Sequence, residues 1–247
     1  MLQFSFHPPY LNLCIRVDPT NIKSSWEDVF TAMKRLILIR HGEAEHMTGD
    51  YTGGWTDLPL TDLGRRQARA VAKRLGRELE GVRFEFLCSD LIRASETADI
   101  IGEELVVAPK AQPELRELNN GVAAGRTKEE AGAYFREPTK PYIDWQPYPG
   151  AETWRQLYTR VAGYLEVLSE LGDETFVIVA HGGTIINIIN WWLELDMETV
   201  NRVSFSAAPT SITVLGTTAF DERTIERLND VSHLLEEGLF EDRLLKA

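Results

Sequence analysis

The chain has 247 residues, 43% of them hydrophobic, enough for one large α/β domain or two small ones around a sizeable core. Its formal net charge of −12, from 38 acidic and 26 basic side chains, argues against nucleic acid and anionic membranes as main partners. No run approaches the roughly 18 apolar residues that span a bilayer, and two cysteines are too few for a disulfide scaffold, so a reducing cytoplasm is the expected location.

Residues 1–32 differ in character from the rest of the chain. Pro8, Pro9 and Pro19 interrupt them, and no period emerges. They are expected to be an extension ahead of a natural start at Met33, or a loosely attached segment, with SSWEDVFTA as a short capped helix the opposing reading. From residue 34 the pattern alternates. Residues 35–40 form a short β-rich run. Residues 61–79 place Leu63, Ala68, Val71, Ala72, Leu75 and Leu79 on one helical face, with Thr61 as cap. FEFLCSD (84–90) reads as a strand with Cys88 in the core, and 91–105 as a helix. VVAP is a short strand or an extended link, and residues 127–137 are expected to be helical.

A proline- and aromatic-rich loop comes next, TKPYIDWQPYPG, and then an amphipathic helix over 151–171. TFVIVA (175–180) is the clearest buried strand, and 183–195 reads as a largely buried helix. TSITVLGTT and RTIERLND read as two closing strands, and 232–245 as a short terminal helix. Strand–helix alternation predicts an α/β fold: a three-layer sandwich, its central sheet mostly parallel and covered by helices on both faces.

In such sheets ligands bind beyond the carboxyl ends of the strands. Arg40, His41, Gly42 and Glu43 come after the first strand. Ser89 and Asp90 come after the second, with Arg93 in the next helical turn, and His181, Gly182 and Gly183 come after TFVIVA. A lone histidine at a strand end is ordinarily a hydrogen-bonded structural residue. Two histidines and two arginines converging on one rim are a different matter. Guanidinium forks match phosphoryl oxygens, and fixed cations disfavour a metal, so no metal site is expected. Helix starts near Gly182 and Asp90 are expected to add backbone N–H donors. A neutral imidazole can attack phosphorus, and a second can hold the equatorial oxygens. The leaving oxygen then needs an acid; Glu117 is the candidate, with Glu43 either an alternative or a structural partner to an arginine.

RHG at 40–42, PLTDLGRRQA at 59–68, SDLIRASETA at 89–98, LRE at 115–117 and HGG at 181–183 together resemble the histidine phosphatase superfamily, the phosphoglycerate-mutase-like enzymes. The resemblance runs from residue 34 to about 217, so residues 33–247 are expected to be the catalytic domain. It implies a phosphohistidine on His41. Arg40, Arg93 and His181 would hold the phosphoryl group, and Glu117 would serve as proton donor and then as base. It also implies no metal and no other cofactor, and a substrate loop at Gly53 and Gly54. The Gly121-x-x-x-Gly125 spacing is kept as well.

The sequence departs from the family pattern at Ala44 and Met47, where Thr and Asn are usual; Thr48 or His46 is the candidate replacement. Ala123-Ala124 and Gly150-Ala151-Glu152-Thr153 depart too, which marks a divergent branch. The long basic insertion of the mutases is missing, with Arg126, Lys128, Arg136 and Lys140 the only cations from Gly121 to Gly150. Hydrolysis of small phosphate monoesters is therefore the favoured activity. A phosphoglycerate-type mutase and a phosphoryl-binding module with little turnover are the alternatives. The aromatic residues of 134–155 either line a wall for an organic leaving group or pack the loop onto the sheet. A homodimer is the default assembly.

Overall fold

The structure is a computed structural model, and it describes residues 33–170, 175–200 and 202–240. The expectation for residues 1–32 falls outside these. Six strands form one sheet in the order β3-β2-β4-β1-β5-β6. They are β1 (Arg35–Arg40), β2 (Glu85–Ser89), β3 (Lys110–Gln112), β4 (Thr175–Ala180), β5 (Ile212–Thr217) and β6 (Arg223–Asp230). The pairs β1–β4, β4–β2 and β2–β3 are parallel, and β5 runs antiparallel to both neighbours. Seven helices accompany them among the described residues: α1 (Glu45–Thr48), α2 (Asp62–Glu78), α3 (Ile92–Leu105), α4 (Lys128–Gly132), α5 (Trp154–Ser169), α6 (Gly182–Trp192) and α7 (Ser232–Glu236).

The period-two pattern of the central strands builds the two cores. Leu36, Leu38, Phe176 and Ile178 face one way and pack with Leu157, Val161 and Leu165 of α5 and Ile185, Ile188 and Ile189 of α6. Ile37, Ile39, Val177 and Val179 face the other way, against Val71, Ala72 and Leu75 of α2 and Ala94, Ala98 and Ile101 of α3. Both faces being covered explains why these strands are continuous apolar runs rather than half-polar ones. Cys88 lies in the second core, and burial pushes its thiol up to about 12. No helix among the described residues is long and apolar enough to cross a membrane.

Helix starts reflect local chemistry. The Thr61 hydroxyl accepts the Gly64 N–H at 3.0 Å to open α2, and reciprocal capping boxes at Thr127/Glu130 and Thr153/Gln156 open α4 and α5. Two elements differ from the sequence expectation, and a third takes one of the two forms expected of it. The segment 127–137 is helical only over Lys128–Gly132, because the Arg136 N–H donates to Pro147 O (2.9 Å) on the returning leg of the aromatic loop. For VVAP, the link is the reading that holds: Val106 caps α3 in the left-handed region (φ 56°), and pairing begins at Lys110. The terminal helix ends at Glu236, well before 245.

Candidate active site

Strand register places the reactive groups. Parallel pairing aligns Arg40 with Ala180, so His41 and His181 leave adjacent strands side by side, with ring centroids 5.0 Å apart. The His41 N–H extends the ladder to Ala180 O at 2.9 Å. Pairing of Cys88 with Val179 brings Ser89 beside His181, whose Nε2 lies 2.8 Å from the Ser89 hydroxyl. Both imidazoles are buried.

Hydrogen bonding fixes the His41 tautomer. Its Nδ1 sits 2.7 Å from Gly42 O, an acceptor only, so Nδ1 carries the proton. Its Nε2 lies 3.3 Å from Arg93 Nε, a donor only, so Nε2 presents its lone pair. Burial, then the charges of Arg93 and Arg40, push His41 well below the ordinary imidazole range. The same causes, burial first and Arg93 next, depress His181. The Ser89 hydroxyl accepts the Leu91 N–H (3.3 Å) and has its own proton to give to His181 Nε2. That leaves His181 Nδ1, buried and without a partner among the described residues, as a donor for an anion.

The two arginines complete the cage. Arg93 is 1% exposed, and burial lowers its guanidinium to about 10. Its Nη1 donates to Thr56 O (3.0 Å) and its Nη2 to Gly54 O (2.7 Å), which orients the fork. Arg40 donates from Nη1 to Ala207 O (2.7 Å), while its Nε is buried with no acceptor among the described residues. Burial lowers Arg40 as well. An oxyanion between these groups would meet donors already pointed at it.

Glu117 lies at the mouth of this cage. Its Oε2 accepts the Gly183 N–H (3.0 Å) at the start of α6, and its Oε1 accepts the Leu118 N–H (2.8 Å). The N-terminus of α6 thus serves to hold the candidate acid. The N-terminus of α3 is likewise occupied: Asp57 Oδ1 accepts the Ile92 N–H (2.7 Å) and Ser89 takes that of Leu91. The Leu91 and Ile92 N–H groups beside Asp90 are therefore already engaged by side chains. Asp90 itself makes a bidentate pair with Arg116 (2.7 and 2.6 Å).

Gly53 and Gly54 line a cleft of about 670 Å³ with Arg40 and Glu117. Gly54 has φ +62°, and a Cβ there would stand 2.6 Å from the Asn120 side chain. Sequence reasoning does not find Asn120. It accepts the Trp55 N–H at 2.9 Å and donates to Gly53 O (3.0 Å) and the Thr52 hydroxyl (3.2 Å), fixing the loop that in turn orients Arg93. Nothing local marks it, because its partners lie more than sixty residues away. Gly121 beside it is at φ +56°, and a Cβ there would collide with Pro149 O.

Glu43 accepts a hydrogen bond from the Thr61 hydroxyl (2.7 Å) at the start of α2, and among the described residues no arginine pairs with it. Of the two candidate replacements for the missing Asn, Thr48 is exposed and donates to Glu45 O, whereas His46 lies 6.0 Å from His41 between ring centroids. Burial and the Arg93 charge lower His46 to about 4, so it too is neutral at pH 7.

These neutral imidazoles make stability pH-dependent. An unfolded histidine takes its proton near pH 6.5, while His41 and His181 in the fold resist it. The unfolded state then binds more protons as pH drops, so stability present above 6.5 is lost below it, by up to about 1.4 kcal/mol per pH unit for each residue. The melting temperature is expected to fall from pH 7 to 5.5, where carboxylates remain charged. A flat profile in phosphate-free buffer would refute buried neutral histidines.

The sequence profile described as the histidine phosphatase superfamily (branch 1) matches residues 36–231. The chain is 32% identical to phosphoglycerate mutase-like protein 4 of Arabidopsis thaliana over 224 residues, 87% of this chain and 92% of that protein. It is 32% identical over 180 residues to a 2,3-bisphosphoglycerate-dependent phosphoglycerate mutase of Methylobacterium, covering 67% and 83%. A mycobacterial glucosyl-3-phosphoglycerate phosphatase, solved in complex with inorganic phosphate, superposes with TM-score 0.65 at 25% identity. That match covers 81% of this chain and 99% of that one.

Proposed function

The chain belongs to the histidine phosphatase superfamily, and from that premise we propose that it hydrolyses small organic phosphate monoesters through a phosphohistidine on His41. The observation that supports this most is the His41 tautomer: a neutral ring with its lone pair on Nε2, facing Arg93. In the first step that lone pair forms the N–P bond while the P–O bond to the leaving group breaks. Arg40, Arg93 and His181 Nδ1 hold the phosphoryl oxygens as charge spreads over them. Glu117 gives a proton to the departing oxygen. It then takes one from water, which attacks phosphorus, and the N–P bond returns its electrons to Nε2.

Hydrolysis fits better than mutase activity, although two of the relatives carry mutase names. A bisphosphate needs cations for its second phosphoryl group. Arg116 is paired with Asp90 and Arg160 with Glu152, and Arg126 donates to Val122 O. Each of these three guanidiniums already has a partner.

Glu117→Gln tests the acid. Alkyl phosphates depend on protonation of the leaving oxygen, so their kcat is expected to fall on the order of 10²–10⁴-fold. p-Nitrophenyl phosphate, whose leaving group departs as a stable anion, should fall far less. An equal loss across the series would assign proton donation to another group.

A further inference from the structure

A second cavity of about 450 Å³ adjoins the cleft, lined by Leu118, Pro138, Tyr142, Trp145, Pro147 and Trp154. Leu118, Pro147 and Trp154 belong to both walls, so the two spaces share a boundary. Leu118 is also the residue next to Glu117 and donates its N–H to that carboxylate. Leu118 thus stands beside the candidate acid and in the wall of both spaces.

The chamber offers carbon and no charge. The Trp145 indole N–H is spent on Arg136 O (3.0 Å), leaving its ring as wall. Both arginines beside the chamber are turned elsewhere: Arg136 to Gln146 Oε1 (2.6 Å), and Arg155 to both oxygens of Asp144 (2.6 and 3.0 Å). A carboxylate or second phosphate entering here would lose water and meet no cation among the lining residues. The walls are also held in place without a ligand. Phe135 packs edge-on against Trp145 and Tyr148 with centroids 5.7 and 5.9 Å away, and the Arg136 N–H ties to Pro147 O. Some rings of the aromatic loop therefore pack the loop itself, and others face an open-mouthed apolar space.

We propose that this chamber receives the apolar part of the leaving group, so that the preferred substrates are monoesters of an alcohol or phenol carrying an uncharged alkyl or aryl group. The proposal rests on the hydrolase reading for its chemistry, but binding to the chamber can be measured without turnover.

The experiment is calorimetric titration with a series of n-alkylphosphonates from methyl to octyl, which cannot be hydrolysed, alongside kcat/KM for the matching alkyl phosphates. Alcohol acidity changes little beyond ethyl, so chain length isolates burial. Kd is expected to tighten by up to roughly fourfold per methylene until the chamber is full, with a negative heat-capacity change. Tyr142 is half exposed at the rim, and Tyr142→Asp is expected to reduce the methyl-to-hexyl ratio of Kd at least tenfold. A series independent of chain length overturns the proposal, as does a slope that Tyr142→Asp leaves intact. Phosphonates that bind with the expected slope while no ester is hydrolysed would overturn the hydrolase reading and leave the chamber standing.

Discussion

His41→Ala is expected to reduce hydrolysis of p-nitrophenyl phosphate to background, a loss on the order of 10⁴–10⁶ in kcat, as for removal of a covalent nucleophile. The acid-labile phosphoenzyme should vanish with it. Inorganic phosphate is expected to bind within a few-fold of the parent, because Arg40, Arg93 and His181 remain. That split is a consequence of the hydrogen bonds. The His41 Nδ1 proton is committed to Gly42 O, so the ring has no donor to offer a phosphate and contributes only its Nε2 lone pair. Removing it deletes the bond-forming electrons while sparing the anion-binding donors. A variant that retains near-normal turnover, or a trapped phosphoryl group on another side chain, would reject His41 as the nucleophile.

Much of this site is legible in the sequence because chemistry and topology coincide there. Buried strands such as TFVIVA end abruptly, and in a mostly parallel sheet their carboxyl ends share one edge, so Arg40, His41, Ser89 and His181 have to lie near one another. Register is not legible. Only the pairing of Arg40 with Ala180 sets the two imidazoles at 5.0 Å, and apolar runs of equal length pair as well one residue out of step until the side chains meet. Long-range clamps are also hidden: Asn120 holds Gly53 and Trp55 through a contact no spacing rule announces. The α3 start departs from expectation for a related reason. Asp57, from a distant loop, already holds the N–H that a helix start would otherwise present to a ligand. Residues 134–137 carry helix-compatible side chains but give their backbone to the returning loop at Pro147, a tertiary preference that local propensity does not contain.

Arg93→Ala is expected to cost about 2–5 kcal/mol in kcat/KM, a loss of roughly 30- to 5,000-fold, and to weaken vanadate and phosphate binding together. The direct part is one charge-assisted contact to the phosphoryl group in a buried cage. The indirect part is the pair of carbonyls the guanidinium now satisfies. Thr56 O and Gly54 O would lose their donor, and the loop carrying Gly53 and Gly54 would loosen along the cleft wall. Arg93→Lys separates the two contributions. A lysine restores a positive charge, so phosphate affinity should recover in part. A single ammonium cannot reproduce a planar fork that reaches Gly54 O, Thr56 O and His41 Nε2 at once, so kcat should stay low. Full recovery of kcat by lysine would mean that charge alone matters and that the fork geometry is incidental. Unchanged vanadate affinity in Arg93→Ala would place the phosphoryl group outside this cage altogether.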